Sequence, residues 1–493
     1  MNRRNYTIYA LSVLLLLVAC TKDSDLVTAD KPSAQDAVSF SSYLQKARQS
    51  TRATYPAGKA GAMDDAVLKT SGFGVFAQYT ENTVWSDYDK SVPFNFMWNQ
   101  QVDWSSGTSK WSYSPLKYWP NDNQPADDQG AQGSQPHNYL DFFAYAPYVQ
   151  QSTLPGSSDA TADGIVDVTN NSTSTDGSSL YYRTSLEKPF GVDESVDLLW
   201  AVPQTDLYKT KDSGEGSVTG TVNLVFKHAL SKFYITVQGL FDHVNNDDTS
   251  PQYGDDRDMF THILVERVDF LSSPLFKEGR MYFVPAADKP DEPRWEGQTG
   301  KVSLSISGLD INSTLSNSYL DATVKKYWDD TSAETMAASF LQLSDQDGDD
   351  DVDATDALAL FNQLPTGVTH TEVSLNDEDD VCYAVIPNKS YLDSHPDDPM
   401  QIRMVYYVIT YDERLTLPKT GYPQYFSIVK NDVTATFSTA FAFEPNKKYK
   451  LRLQPGLTTV KFDVTSVDGW DTPITLNPEV IDWVTKTLEY DVK

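Results

Sequence analysis

Cysteine is almost missing from these 493 residues, which hold two, Cys20 and Cys382. Cys20 is taken up by the N-terminal signal discussed below, so one thiol remains and no internal disulfide can form. Stability must then come from burial and not from staples. Cys382 sits in the apolar run VCYAVI and reads as a small core residue. Histidine is also scarce, with six: His137, His228, His243, His262, His370 and His395. None stands at zinc-ligand spacing from another, and no HExxH, GxSxG or phosphate-loop pattern occurs. His228 falls inside a strand-like segment and reads as a satisfied core or edge residue. Positive charge is outweighed, 39 Lys and Arg against 69 Asp and Glu, for a formal charge of -30. That excludes nucleic acid as a partner and predicts a hydrated, self-repelling surface. With so many acids, a glycosidase-type carboxylate pair cannot be read from proximity in sequence. The runs PDEP (290–293) and NDEDD (376–380) read as solvated turns, and the chain is not expected to be an enzyme. Beyond the N-terminus no segment is long and apolar enough to span a bilayer.

What is present begins with that N-terminus. Arg3 and Arg4 form a positive region, and Tyr9 to Val18 form an apolar run of about ten residues, the length of a signal-peptide core and too short for a membrane-spanning helix. The run ends in Leu17-Val18-Ala19-Cys20, a small residue before a cysteine, as lipoprotein processing requires. Cys20 is the expected site of a covalent lipid, which anchors stably when several acyl chains are attached. The alternative is an ordinary secretory signal with an incidental cysteine. Residues 1–19 then form the signal peptide and 20–37, polar and rich in Asp, Ser and Thr, a tether. The chain is expected to lie outside the cytoplasm, tethered to a bacterial membrane through the lipid.

The rest reads as short strands separated by turns, with abundant Tyr, Thr, Val and aromatics. Clear strand segments are Gly74 to Tyr79, Tyr139 to Tyr148, Val222 to Val237, His262 to Phe270, Met404 to Tyr411 and Lys448 to Leu453. Residues 120–136 and 156–179 are dense in Asp, Asn, Ser, Gly and Pro and read as surface loops. Helical periodicity is convincing at 332–343 and 355–364 only. The pattern predicts an all-β protein of antiparallel sandwiches. The polar, glycine-rich KTKDSGEGSVTG places a boundary between an N-terminal sandwich, 38–215, and a C-terminal one, 216–493. A helical insertion occupies about 331–366 of the second.

The sharpest local motif is DQDGDDDVDATD, residues 345–356. Asp345, Asp347, Asp349, Asp351, Asp353 and Asp356 fall at positions 1, 3, 5, 7, 9 and 12, the spacing at which a twelve-residue loop wraps oxygens around Ca²⁺. With helical patterns on both sides the segment resembles an EF-hand or one half of a dockerin. Asp350 stands at position 6 where glycine is normal, and Asp356 has a shorter reach than Glu. The expectation is a structural Ca²⁺ that orders the helical insertion; the alternative is a solvated acidic loop with chance spacing.

Several longer pieces carry a resemblance to a family. They are VSFSSYLQKARQSTRAT (38–54), GFGVFAQY (72–79), WSYSPLKYWP (111–120), FFAYAPY (142–148), DLLWA (197–201), VNLVFKHALSKFYITV (222–237), FEPNKKYKLRL (443–453) and LTTVKFDVTSVDGW (457–470). With the lipid signal, their order and spacing resemble the fimbrillin-like surface lipoproteins of Bacteroidales, subunits of type V pili. That resemblance implies two transthyretin-like β-sandwich domains in tandem and a structural role at the cell surface, held to the outer membrane through the lipid, with other fimbrial subunits as partners and a host or bacterial surface receptor for an adhesin. It also implies assembly by strand exchange: an arginine-specific protease removes an early strand, and a neighbour's strand fills the groove. Val38 and Phe40 begin a candidate first strand. Arg48 and Arg52 follow it, with Arg52 the preferred cut; the alternative is that both are ordinary loop residues. In the tail, Ile474 and Leu476, then Leu488, Tyr490 and Val492, alternate with polar neighbours, as a donor strand or as the last strands of their own domain. A second functional reading is a surface glycan-binding lipoprotein, with Trp104, Trp111 and Trp119 as a stacking platform or, more simply, as sandwich core.

Overall fold

The computed structural model describes residues 37–44, 63, 65–120, 138–156, 163–170, 177–184, 196–209, 220–240, 260–271, 274–307, 345, 347–351, 353–364, 367–375, 383–415, 425–437, 441–456, 460–468 and 486–490. In chain order the first elements are β1 (Ser39–Leu44), α1 (Asp65–Ser71), β2 (Phe73–Glu81), β3 (Met97–Ser105), β4 (Lys110–Ser112) and β5 (Tyr139–Ala146). Then come β6 (Gly164–Thr169), β7 (Ser179–Arg183), β8 (Leu199–Ala201), β9 (Gln204–Leu207), β10 (Thr221–His228) and β11 (Ser231–Val237). These are followed by β12 (Thr261–Phe270), β13 (Phe276–Tyr282), β14 (Arg294–Lys301), β15 (Leu304–Ser307), α2 (Ala354–Phe361) and β16 (Val373–Ser374). The last are β17 (Tyr383–Val385), α3 (Lys389–Ser394), β18 (Gln401–Tyr411), β19 (Phe426–Thr436), β20 (Lys447–Pro455), β21 (Val460–Asp468) and β22 (Lys486–Tyr490). The chain is all-β, as its sequence predicts.

Four sheets form among the described residues. The first runs β1-β10-β8-β5-β2-β3-β4, with β9 beside β5. Its two faces are both apolar because β2 and β5 alternate between them. Phe73, Val75, Phe142 and Ala144 enter one core, while Phe76, Phe143 and Tyr145 enter another. The second core is closed by the sheet β14-β13-β7-β6, which contributes Leu180, Tyr182, Met281 and Trp295. The other two sheets, β16-β11-β20-β21-β22 with β17 beside β11, and β15-β12-β18-β19, enclose a third core that includes Phe233, Val265, Tyr406 and Leu451.

Pairing crosses the boundary expected at 215/216. β10 lies in the first sheet beside β8, and β13 pairs with β7. The polar stretch before Gly220 therefore joins β9 to β10 within one sheet. The passage to the other sandwich falls at Ala229-Leu230, inside the run read as one strand segment: β10 stays in the first sheet and β11 joins β20. Two pairs are parallel where antiparallel pairing was expected, β1 with β10 and β11 with β20. Two short helices outside the expected ones, α1 and α3, occur among the described residues, with single 3-10 turns at Trp85–Asp87 and Gln151–Thr153. α1 stops at Gly72, whose N–H bonds Leu68 O at 2.9 Å and whose φ of +65° suits glycine.

Candidate functional site

The first sheet curls until its first strand meets the segment after its last. Val38 N donates to Lys117 O at 2.9 Å, and Ala37 bridges Tyr118. β1 is thus a stave between β10 on one side and the 113–119 segment on the other. Its register on β10 runs from Ser39 opposite Thr221 to Leu44 opposite Phe226. The sequence VSFSS alternates, as a strand with one apolar face must. Val38 and Phe40 are buried, while Ser39 and Ser41 bond Thr221 and Asn223. The Phe40 ring lies 6.2 Å from Phe73, 6.0 Å from Phe142 and 5.5 Å from Tyr113. Two side chains of the neighbouring segment reach β1: Trp111 Nε1 donates to Ser42 Oγ at 2.9 Å, and Tyr113 Oη donates to Val38 O at 2.9 Å.

The chain is pinned again at Met63, whose N–H donates to Asp197 Oδ2 at 2.7 Å. Asp197 is fully buried, and its other oxygen lies 2.9 Å from His228 Nδ1. His228 is therefore a satisfied core residue, as expected, and through Asp197 it ties β10 to Met63. Arg48 and Arg52, between these two fixed points, lie outside the described residues, as do Cys20 and Cys382.

The acidic loop leads into α2. The carboxylates of Asp345, Asp347 and Asp349 converge, with one oxygen of each within 4.8 Å of the others. Backbone amides turn inward on the same groups: Asp350 N donates to Asp345 at 3.0 Å and Asp351 N to Asp349 at 2.9 Å. Asp350 takes a φ of +68°, the left-handed conformation that position 6 requires. Asp353 caps α2 by accepting from Thr355 N and Asp356 N, while Asp356 is buried and accepts from Asp353 N and Asp347 N. Desolvation, then the charges of Asp349, Asp356 and Asp345, hold the Asp347 carboxyl above its ordinary range. Ala357 and Phe361 of α2 pack on Leu264, Tyr407, Ile409 and Phe426, the outer face of the β12-β18-β19 sheet. The first flanking helix, expected at 332–343, lies outside the described residues.

The three tryptophans do not form a platform. Trp111 and Trp119 are buried in the core of the first sheet, and Trp104 packs edge-on against Trp111 under the Lys69 ammonium. In the tail, β22 pairs antiparallel with β21, so Leu488 and Tyr490 stand in a strand of this chain's own sheet; Ile474, Leu476 and Val492 lie outside the described residues. Sequence reasoning missed the donor roles of Trp111 and Tyr113. Their alternation in WSYSP was the available signal, but the strand they face lies about seventy residues earlier.

No protein-family model matches the chain. A curated protein, the fimbrium subunit Fim1C of Phocaeicola vulgatus, is 24% identical over 218 residues, 44% of this chain and 47% of that protein. The chain is similar to a Bacteroidales fimbrial subunit. It spans about half the length of this fimbrial relative. Among solved structures, a fimbrial protein from Bacteroides vulgatus is 18% identical, with 88% of this chain and 99% of that one covered and a TM-score of 0.49. The tip fimbrial protein Mfa3 from Porphyromonas gingivalis, with C-terminal truncation, is 9% identical, with 81% and 100% covered and a TM-score of 0.24. Both TM-scores lie below 0.5, too low to carry a functional argument. The fimbrial resemblance read from the sequence stands on the curated relative.

Proposed function

We propose that this chain is a structural subunit of a cell-surface fimbria, or a pilus-associated adhesin, exported as a lipoprotein through Cys20 and assembled with other subunits by strand exchange. It acts by binding strands, not by catalysis. The observation that carries this reading is β1: one stave closes an apolar interior, and two arginines follow it in polar sequence. A cut after Arg52 severs β1 and the lipid from the body, which stays anchored at Met63. A strand of a neighbouring subunit then takes the vacated ladder on β10, main-chain bonds giving affinity and alternate side chains giving register. Treating the purified precursor with an arginine-specific protease should give a cut near Arg52 followed by polymers. Cut protein that stays monomeric across conditions, with partner subunits included, sinks the proposal.

We further propose that the 345–356 loop holds Ca²⁺. The donor set is oxygen only, as this hard cation requires, and Asp345, Asp347, Asp349 and Asp356 would hold it with the Asp351 carbonyl. The ion would neutralise carboxylates that otherwise repel one another and would fix α2 on its sheet. Calorimetry should show Ca²⁺ binding by the wild type and none by Asp345→Ala; identical heats end this proposal.

A further inference from the structure

We infer that the Trp111 indole N–H selects which strand the β1 position accepts, by demanding an oxygen acceptor two residues after the aromatic anchor. This rests on the strand-exchange reading. The contacts that hold β1 divide into two kinds. The ladder to β10, the Tyr113 hydroxyl on Val38 O and the Val38 amide on Lys117 O all engage main-chain atoms, which any sequence offers. They set register and direction without reading identity. Ser39 and Ser41 bond side chains of β10 from the opposite face of the strand: the Ser41 bond is exposed, so water can replace it, and the Ser39 hydroxyl also donates to the main-chain oxygen of Gly220 at 3.0 Å.

Beside the burial of Val38, two contacts read side chains from the inside. The first is the apolar space around Phe40, which any large apolar ring can fill. The second is Trp111 Nε1 on Ser42 Oγ, at 2.9 Å. Trp111 is buried, and its ring is wedged edge-on between Phe73, 4.7 Å away, and Trp104, 5.3 Å away. The N–H cannot swing to another partner without dislodging Phe73 from the core. A strand with alanine or valine at the Ser42 position therefore leaves the N–H of a buried, immobilised indole without its protein acceptor, at a bond partly shielded from water. The accepted strand has the order apolar, any, aromatic, any, Ser or Thr, and runs parallel to β10.

The full-length precursor is cut with the arginine-specific protease and offered labelled peptides carrying residues 37–46. The wild-type and Ser42→Thr peptides should be taken up alike, and the Ser42→Ala peptide about tenfold more weakly. On Trp111→Phe protein, which keeps a ring without the N–H, that difference should vanish. Equal uptake of all three peptides by wild-type protein overturns the inference and leaves strand exchange standing. No uptake of any peptide overturns strand exchange, and this inference with it.

Discussion

Phe40→Ala should be the most damaging single change in the first strand, costing about 3–5 kcal/mol, as removal of a buried phenylalanine does elsewhere. The ring touches Phe73, Phe142 and Tyr113 at once, so nothing nearby can collapse into the space without leaving another gap. Part of the loss should appear as detachment of β1, because the strand is only six residues long and Phe40, with Val38 just before it, is what it buries among the described side chains. Denaturant unfolding measures the total, and amide exchange at residues 39–44 measures the detachment. Full stability with unchanged protection would mean that β1 does not close the core as described.

Stability should rise as pH falls from 8 to 5, through Asp141. This β5 carboxyl is fully buried, and burial pushes it up to about 7 against two opposing hydrogen bonds, from Asp206 N and Thr80 Oγ1. The nearby Asp206 carboxylate pushes the same way. Because the folded value exceeds the unfolded one, the contribution is whole below about pH 4. It is lost as pH rises and is gone above about 7, a change on the order of 4 kcal/mol. Gln78 stands opposite Asp141 in the register; its Nε2 donates to Tyr88 Oη, while its buried Oε1 has no hydrogen-bond partner among the described residues. The protonated acid, unlike the carboxylate, has a proton to donate. Asp141→Asn, which mimics that form, should flatten the pH profile and exceed the wild type at pH 8. Parallel profiles for the two proteins would refute the assignment.

Much of this fold is written locally. β2, β5, β12 and β18 are rich in aromatic and β-branched residues, β20 alternates Tyr449, Leu451 and Leu453 with Lys and Arg, and each forms within a few residues of its expected place. The failure at 222–237 has a readable cause. Val222, Leu224, Phe226 and His228 are buried at even positions, whereas Phe233, Ile235 and Val237 are buried at odd ones. That slip in phase marks a change of face, and here a change of sheet. The parallel pairing of β1 with β10 joins residues 182 apart in sequence, such as Ser39 and Thr221, and no local pattern can announce it. The acidic loop was legible because ligand spacing is itself local. Asp141 was not, since one acid among 69 is distinguished only by what buries it.

The parallel alignment of β1 with β10 also bears on tension. A strand seated in that position and drawn along its own axis loads its ladder bonds in shear. They are evenly spaced in a parallel pair, so they share the pull instead of parting one after another from an end. Under load the lifetime of such a joint is governed by the rate of its opening and not by equilibrium affinity. A short stave can therefore serve as a durable mechanical link in a fibre, provided that the pull runs along the strand.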